Sequence, residues 1–213
     1  MRRRLALSLL AAACLAAMAG PAPAQPAPRG HLVVVGGGGV PDVILKRAIE
    51  LAGGPAAPIA IFPQASELAD TGDVAAEMWR KAGATSAGAA VMSSIMLTGD
   101  ADLQSITVGA TKTAPGLGLW PEVIVDQHHL KRQRQSRLIS LVLEHPALVG
   151  VGIDERTAAI VSGSRFEVLG ESSVLVIDAR RAAIEPRAPG SLSAARGVTM
   201  HVLTSGMGMG LRD

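Results

Sequence analysis

His31-Leu32-Val33-Val34-Val35-Gly36-Gly37-Gly38-Gly39 is an apolar, β-branched run that stops abruptly at four glycines. Apolar residues without polar alternation read as a strand buried on both faces, and the glycines read as a turn at its end. Residues 40–51 then show helical spacing, with Asp42 near the start and Gly53-Gly54 at the end. Residues 58–62 repeat the buried-strand pattern and residues 73–82 the helical one. Strand, helix, strand, helix in this order predicts an α/β fold, with a parallel sheet covered by helices on both faces.

Further along, the alternation breaks. Residues 77–83 (Glu-Met-Trp-Arg-Lys-Ala-Gly) read as helix and run straight into Ala84-Thr85-Ser86, where a strand is expected. After Ser86 a small-residue helix start does follow, Ala87-Gly88-Ala89-Ala90-Val91-Met92. Residues 101–113 read as loop. Residues 122–125 read as a strand leading into Asp126-Gln127-His128-His129, and residues 137–144 as a helix stopped by Pro146. Short strands are predicted at residues 149–153, 158–161, 166–169, 174–177 and 198–203, with Gly163 and Gly170 in turns. They form a β-rich C-terminal extension of the sheet.

Upstream, Met1-Arg2-Arg3-Arg4 precedes the apolar run 5–19, and Ala22-Pro23-Ala24 offers the small residues of a cleavage site. This predicts a signal peptide over 1–24 and one domain over 25–213, in a secreted or periplasmic protein. The run falls short of the roughly 20 residues a bilayer requires, and Gly20, Pro21 and Pro23 break it, so no membrane association is expected once it is removed. The single cysteine, Cys14, lies inside this segment, and Ala11 is a poor match to the larger apolar residue a lipoprotein signal needs. The mature chain then has no disulfide, no cysteine nucleophile and no thiolate metal ligand. The full sequence is 48% hydrophobic, enough for a packed core. Its formal charge of +2 includes the three leader arginines, and no nucleic-acid-binding motif appears. Gly36 to Gly39 lack the lysine and serine or threonine of a phosphate loop.

Two stretches carry candidate chemistry. Ser86 sits among small residues, which either pack a helix closely on a sheet or form a sharp turn that exposes a nucleophile. In the second case helix-start N–H groups, that of Ala87 first, would stabilise an oxyanion. His128 follows a buried strand, and strand ends are where parallel sheets place reacting groups. It could take the Ser86 proton. Asp126 accepts a hydrogen bond or caps a turn, and His129 reads as a solvated loop histidine. Lys131, Arg132, Arg134 and Arg137 form either a solvated helix face or a carboxylate clamp.

Thr85-Ser86-Ala87-Gly88-Ala89-Ala90-Val91-Met92-Ser93 resembles the nucleophile elbow of the cyanophycinase and aspartyl dipeptidase family. Gly116-Leu117-Gly118-Leu119, then Asp126-Gln127-His128 with Arg132, Arg134 and Arg137, resemble its histidine segment and substrate-binding arginines. Residues 33–38, 62–66, 152–158 and 197–203 are similar to its first strand, second strand, a later turn and last strand. The resemblance implies a flavodoxin-like core related to class I glutamine amidotransferases. It also implies a Ser-His-acid peptidase without metal or organic cofactor. The implied substrate is cyanophycin, a poly-aspartate with arginine on each side-chain carboxyl, or an aspartyl peptide. Asp126, Gln127, Arg132, Arg134 and Arg137 would bind it. A homodimer stays open.

The chain departs from the family in two ways. Two strand–helix units of roughly 30 residues each are missing before Ser86, including the strand that leads into the nucleophile. Where the family has its third catalytic acid the alignment gives Gln104, and Asp102 is the nearest replacement. The expected function is a secreted serine exopeptidase releasing β-aspartyl-arginine dipeptides. The alternative is a shortened, weak or inactive relative that at most binds ligands. An amidotransferase-like domain is disfavoured because the mature chain lacks cysteine.

Overall fold

A computed structural model describes residues 30–54, 92–99 and 101–212. The leader, the predicted strand at 58–62, the helix at 73–82, and Ser86 and Ala87 lie outside the described residues. In chain order the elements are β1 (His31–Val35), α1 (Asp42–Leu51), β2 (Ile95–Leu97), β3 (Thr113–Pro115), β4 (Val123–Gln127), α2 (Gln135–Glu144) and β5 (Val149–Ile153). There follow β6 (Thr157–Ser162), β7 (Arg165–Gly170), β8 (Ser173–Asp178), β9 (Ala183–Glu185), β10 (Ala194–Arg196), β11 (Thr199–Thr204) and β12 (Gly208–Gly210).

The class is α/β. The two largest sheets have four strands each, in the orders β1-β6-β7-β12 and β11-β8-β5-β4. They pack face to face. Val34, Ala159, Val161, Phe166 and Val168 from the first sheet meet Val123, Val125, Val151, Ile153, Val174 and Val176 from the second in one buried cluster. Trp120 closes this cluster edge-on to Phe166, with ring centroids 5.6 Å apart. The outer faces bury helices. Ile44 of α1 packs on Ala158 and Ile160, and Leu138, Leu141 and Val142 of α2 pack on Ile124 and Ile177. The layers therefore run α1, first sheet, second sheet, α2. Successive residues of a strand face opposite ways, so Ala158 and Ile160 serve α1 while Ala159 and Val161 serve the inter-sheet core. Burial on both faces is why these strands read as continuous apolar runs.

A parallel pair is present, β4 with β5. The other strand pairings among the described residues are antiparallel, so the parallel pair lies in a mixed sheet and the first sheet is wholly antiparallel, where the sequence leads one to expect a single parallel sheet. Connection length is the reason. A parallel neighbour needs a crossover of a dozen or more residues. The chain from Gln127 to Val149 has that room and contains α2. Asp154–Arg156, Gly163-Ser164 and Glu171-Ser172 do not, so β5, β6, β7 and β8 reverse direction in turn. β5 and β8 fall in one sheet, β6 and β7 in the other.

Helix α2 begins at the turn after Arg134 and ends before Pro146. Leu138, Leu141 and Val142, spaced three and four apart, form its buried stripe. Opposite this stripe β5 has glycines. A Cβ on Gly150 would lie 2.6 Å from Val142 Cγ2, and one on Gly152 would lie 2.3 Å from the His129 ring. The helix and that ring thus sit where side chains of β5 would otherwise be.

Candidate active site

Strand register assembles the site. In the parallel pair, Gln127 stands opposite Ile153, so the residues after each leave the sheet at one edge, the C-terminal edge where such sheets place ligands. The glycine turn after β1 reaches the same place. The Gly36 N–H donates to the Thr157 carbonyl at 2.9 Å, the His128 N–H to Gly36 at 2.8 Å and the Arg156 N–H to Gly37 at 2.8 Å. Backbone from three strand ends is thereby tied together around one histidine.

His128 has φ +51°, a left-handed conformation that costs on the order of 1–3 kcal/mol for such a residue. Its N–H bond to Gly36, and the Arg132 N–H donated to its carbonyl at 2.9 Å, hold it there. Its Nδ1 lies 2.8 Å from Glu155 Oε1, with the two side chains 18% and 26% exposed. The pair is enclosed but within reach of a ligand. A carboxylate accepts hydrogen bonds, so Nδ1 carries the hydrogen and Nε2 is left as the acceptor. That is the arrangement of a base that takes a proton at one nitrogen while a carboxylate stabilises the resulting cation at the other. The ring rests on Gly37, φ +98°, where a Cβ would lie 2.3 Å from Cε1 and 2.5 Å from Nε2. Glu155 rests on Gly38 in the same way, 2.6 Å from Cβ to Cβ.

Beneath the turn lies a buried charge cluster. Asp126, on the helix side of β4, accepts from Arg137 Nε at 3.0 Å and from Nη2 as well. His129 Nδ1 lies 3.3 Å from Asp126 Oδ2. All three residues are buried. Burial pushes the Asp126 carboxyl up, but the bonds from His129 and Arg137 and the guanidinium charge outweigh it and hold the carboxyl below the usual range. His129 Nε2 has no hydrogen-bond partner among the described residues. Arg134 Nη1 donates to the Gln127 carbonyl at 2.8 Å. Asp154 accepts from the Lys131 N–H at 2.9 Å and from Ser172 Oγ at 2.8 Å. Its burial raises the carboxyl, and these bonds more than reverse that.

Several sequence expectations are corrected by this geometry. Asp102 is exposed and caps its own turn, accepting from the Gln104 and Ser105 N–H groups at 2.8 and 3.1 Å. The carboxylate that meets the His128 ring is Glu155, because β4 and β5 are parallel neighbours and Asp102 belongs to a different loop. Asp126 and Arg137, expected as substrate contacts, satisfy each other in the interior. His129, read as a solvated loop residue, is buried beside Asp126. Arg132 is exposed, Gln127 and Arg134 are partly so, and Ser86 and Ala87 fall outside the described residues. Glu155 is not among the site residues that the sequence points to, although residues 152–158 read as a turn. The available signal was an acidic pair directly after a fully apolar strand, placed as His128 is after its own strand.

A layered α/β protein with a histidine–carboxylate contact at the end of a parallel strand pair is the class these features define. The fold is similar to that of a solved peptidase from an acI-B1 Actinobacterium, with a TM-score of 0.54, 15% identity, and coverage of 85% of this chain and 97% of that one. At that identity the likeness concerns fold. Residues 82–169 match the model of peptidase family S51, and this segment includes Ser86, His128, the three arginines and Glu155. The chain is 44% identical over 97 residues to cyanophycinase of Geminocystis herdmanii, covering 45% of this chain and 36% of that protein. It is 47% identical over 95 residues to cyanophycinase of Trichormus variabilis, covering 44% and 32%. It is 42% identical over 99 residues to that of Synechococcus elongatus, covering 46% and 31%. The match to the family model thus covers residues 82–169, and the chain spans about a third of the length of these curated relatives.

Proposed function

We propose that this protein is an exported serine exopeptidase that releases β-aspartyl-arginine dipeptides from cyanophycin or cleaves related aspartyl peptides. The observation that carries the reading is the His128–Glu155 contact at the end of the parallel pair, seated on Gly37 and Gly38. Ser86 Oγ attacks the scissile carbonyl carbon while His128 Nε2 takes its proton. Glu155 stabilises the imidazolium, and the Ala87 N–H stabilises the oxyanion. His128 returns the proton to the leaving amine. Water, deprotonated by the same nitrogen, then releases the acyl group from Ser86. Arg132 and Arg134 offer guanidinium groups to substrate carboxylates.

Purified protein incubated with cyanophycin should release dipeptide, detected by chromatography and mass spectrometry, and Ser86→Ala should abolish release. Equal release by Ser86→Ala would exclude serine catalysis. Absence of release by the wild type, with retained cyanophycin binding, would favour the alternative of a weak or inactive ligand-binding relative. The sequence pattern of residues 77–83, which reads as helix where a strand is expected before Ser86, favours that alternative. Export predicts that mass spectrometry of the extracytoplasmic protein finds a chain starting near Gln25.

A further inference from the structure

We propose that the buried Asp126–Arg137 pair is a positioning device for His128 and not a substrate contact. This rests on the reading of His128 as the base. The turn from His128 to Arg134 contains two non-glycine residues in the left-handed region, His128 at φ +51° and Gln133 at +52°. A turn holding two such residues persists only where its surroundings over-determine it.

The surroundings do so from one carboxylate. Asp126 is the second-last residue of β4, and its oxygens take both Nε and Nη2 of Arg137, which is in the first turn of α2. The strand that enters the turn and the helix that leaves it are therefore joined beneath it by a two-bond clamp. His129 Nδ1 adds a third contact to the same carboxylate from inside the turn. Arg134 closes the opposite side through the Gln127 carbonyl, and the Arg134 N–H donates to the His129 carbonyl at 2.9 Å. Gly152 leaves the space that the His129 ring fills.

His128 is the residue these contacts bracket. With Gln127 held before it and His129 after it, its ring lies over Gly37 with Nδ1 2.8 Å from Glu155 Oε1. The side chain of Arg137 is 4% exposed and that of Asp126 0%, so a ligand carboxylate would have to displace Asp126 to reach Arg137. A guanidinium matches a carboxylate with two parallel bonds, whereas an ammonium does not, so Arg137→Lys keeps the charge and loses the clamp.

The experiment uses the full mature chain with nitrogen-15-labelled histidine. Long-range nitrogen–proton correlation spectra at a pH where the ring is neutral report which nitrogen of His128 carries the hydrogen, the resonance being assigned with His128→Gln. Wild type should show hydrogen on Nδ1, and Glu155→Gln supplies the reference for its loss. In Arg137→Lys and in Asp126→Asn the His128 pattern should move toward that reference. On cyanophycin both variants should lower kcat about tenfold or more with KM nearly unchanged, while Arg132→Ala should raise KM. Should the single variants fail to fold, Asp126→Leu with Arg137→Met fills the site with apolar groups of similar volume. A folded double variant should still lose the His128 signature. An unchanged His128 pattern in any folded variant, or a raised KM with unchanged kcat in Arg137→Lys, overturns the proposal. A wild type without peptidase activity, but with the predicted spectral change in Arg137→Lys, would overturn the functional reading and leave the positioning role standing.

Discussion

Glu155 and Asp102 are both acidic residues near candidate chemistry, and their surroundings separate them. Glu155 is partly enclosed and bonded to a ring nitrogen, while Asp102 is exposed and already occupied by the N–H groups of its own turn. Glu155→Gln is expected to lower kcat by at least about 100-fold, because the amide neither fixes the useful tautomer nor stabilises a cation. Asp102→Asn should change kcat less than about twofold, since a side-chain amide oxygen can still accept both bonds. Dipeptide release by the two variants, measured side by side, checks this. His128, the arginine run and the glycine turn were legible in the sequence because each is a residue type tied to one chemistry or one backbone need. Glu155 was not, since its role arises from a strand pairing that no local pattern displays. The burial of Asp126, Arg137 and His129 escaped notice for a related reason. A charge run looks the same whether it faces water or a partner on another element.

Among elements, α2 and β5 show most clearly how periodicity and its absence both carry information. Leu138 and Leu141 are at most 1% exposed, and Leu138→Ala should destabilise by about 2–5 kcal/mol, read from denaturant unfolding. Gly152→Ala tests the other side of the same contact. Its Cβ would meet the His129 ring at 2.3 Å, and overpacking of that kind costs about 1–3 kcal/mol. It should also impair catalysis more than Leu138→Ala does, because the ring it displaces belongs to the turn carrying His128. Equal catalytic loss at equal destabilisation would argue against a special link. The strands β5 to β8 could be placed from their apolar runs to within a residue or so at each end. Their division between two sheets could not, because a strand buried on both faces looks alike in a parallel sheet and in a four-layer stack. The three-residue strands β2, β3, β9, β10 and β12 have no counterpart in the sequence reading. Each is too short to show alternation.

For the whole molecule, acid is the condition that bears on several joints at once. The Asp126 and Asp154 carboxyls are held below the usual range in the folded protein. Each therefore contributes stability in full above the ordinary carboxylate pKa, and loses it as pH falls through the depressed folded value. Stability should decline as pH drops below about 4. The difference in urea midpoint between wild type and Asp154→Asn should be largest near neutrality and shrink toward zero in strong acid. A gap independent of pH would show that Asp154 contributes through shape rather than charge.

The alternation of β5, β6, β7 and β8 between the two sheets has a kinetic consequence. One uninterrupted stretch, residues 149–178, supplies central strands of both layers and many of the side chains between them. Its contacts close short loops, so their entropic cost is small and they can form early. β1 must return from a distant point in the chain, Val34 pairing with Ala159. The transition state for folding should accordingly be polarised toward this stretch. Val151→Ala and Val168→Ala should slow refolding, while Val34→Ala on β1 should leave the refolding rate nearly unchanged and accelerate unfolding. Stopped-flow chevrons of the three variants would separate the two limbs, and uniform slowing by all three would indicate that the layers condense together.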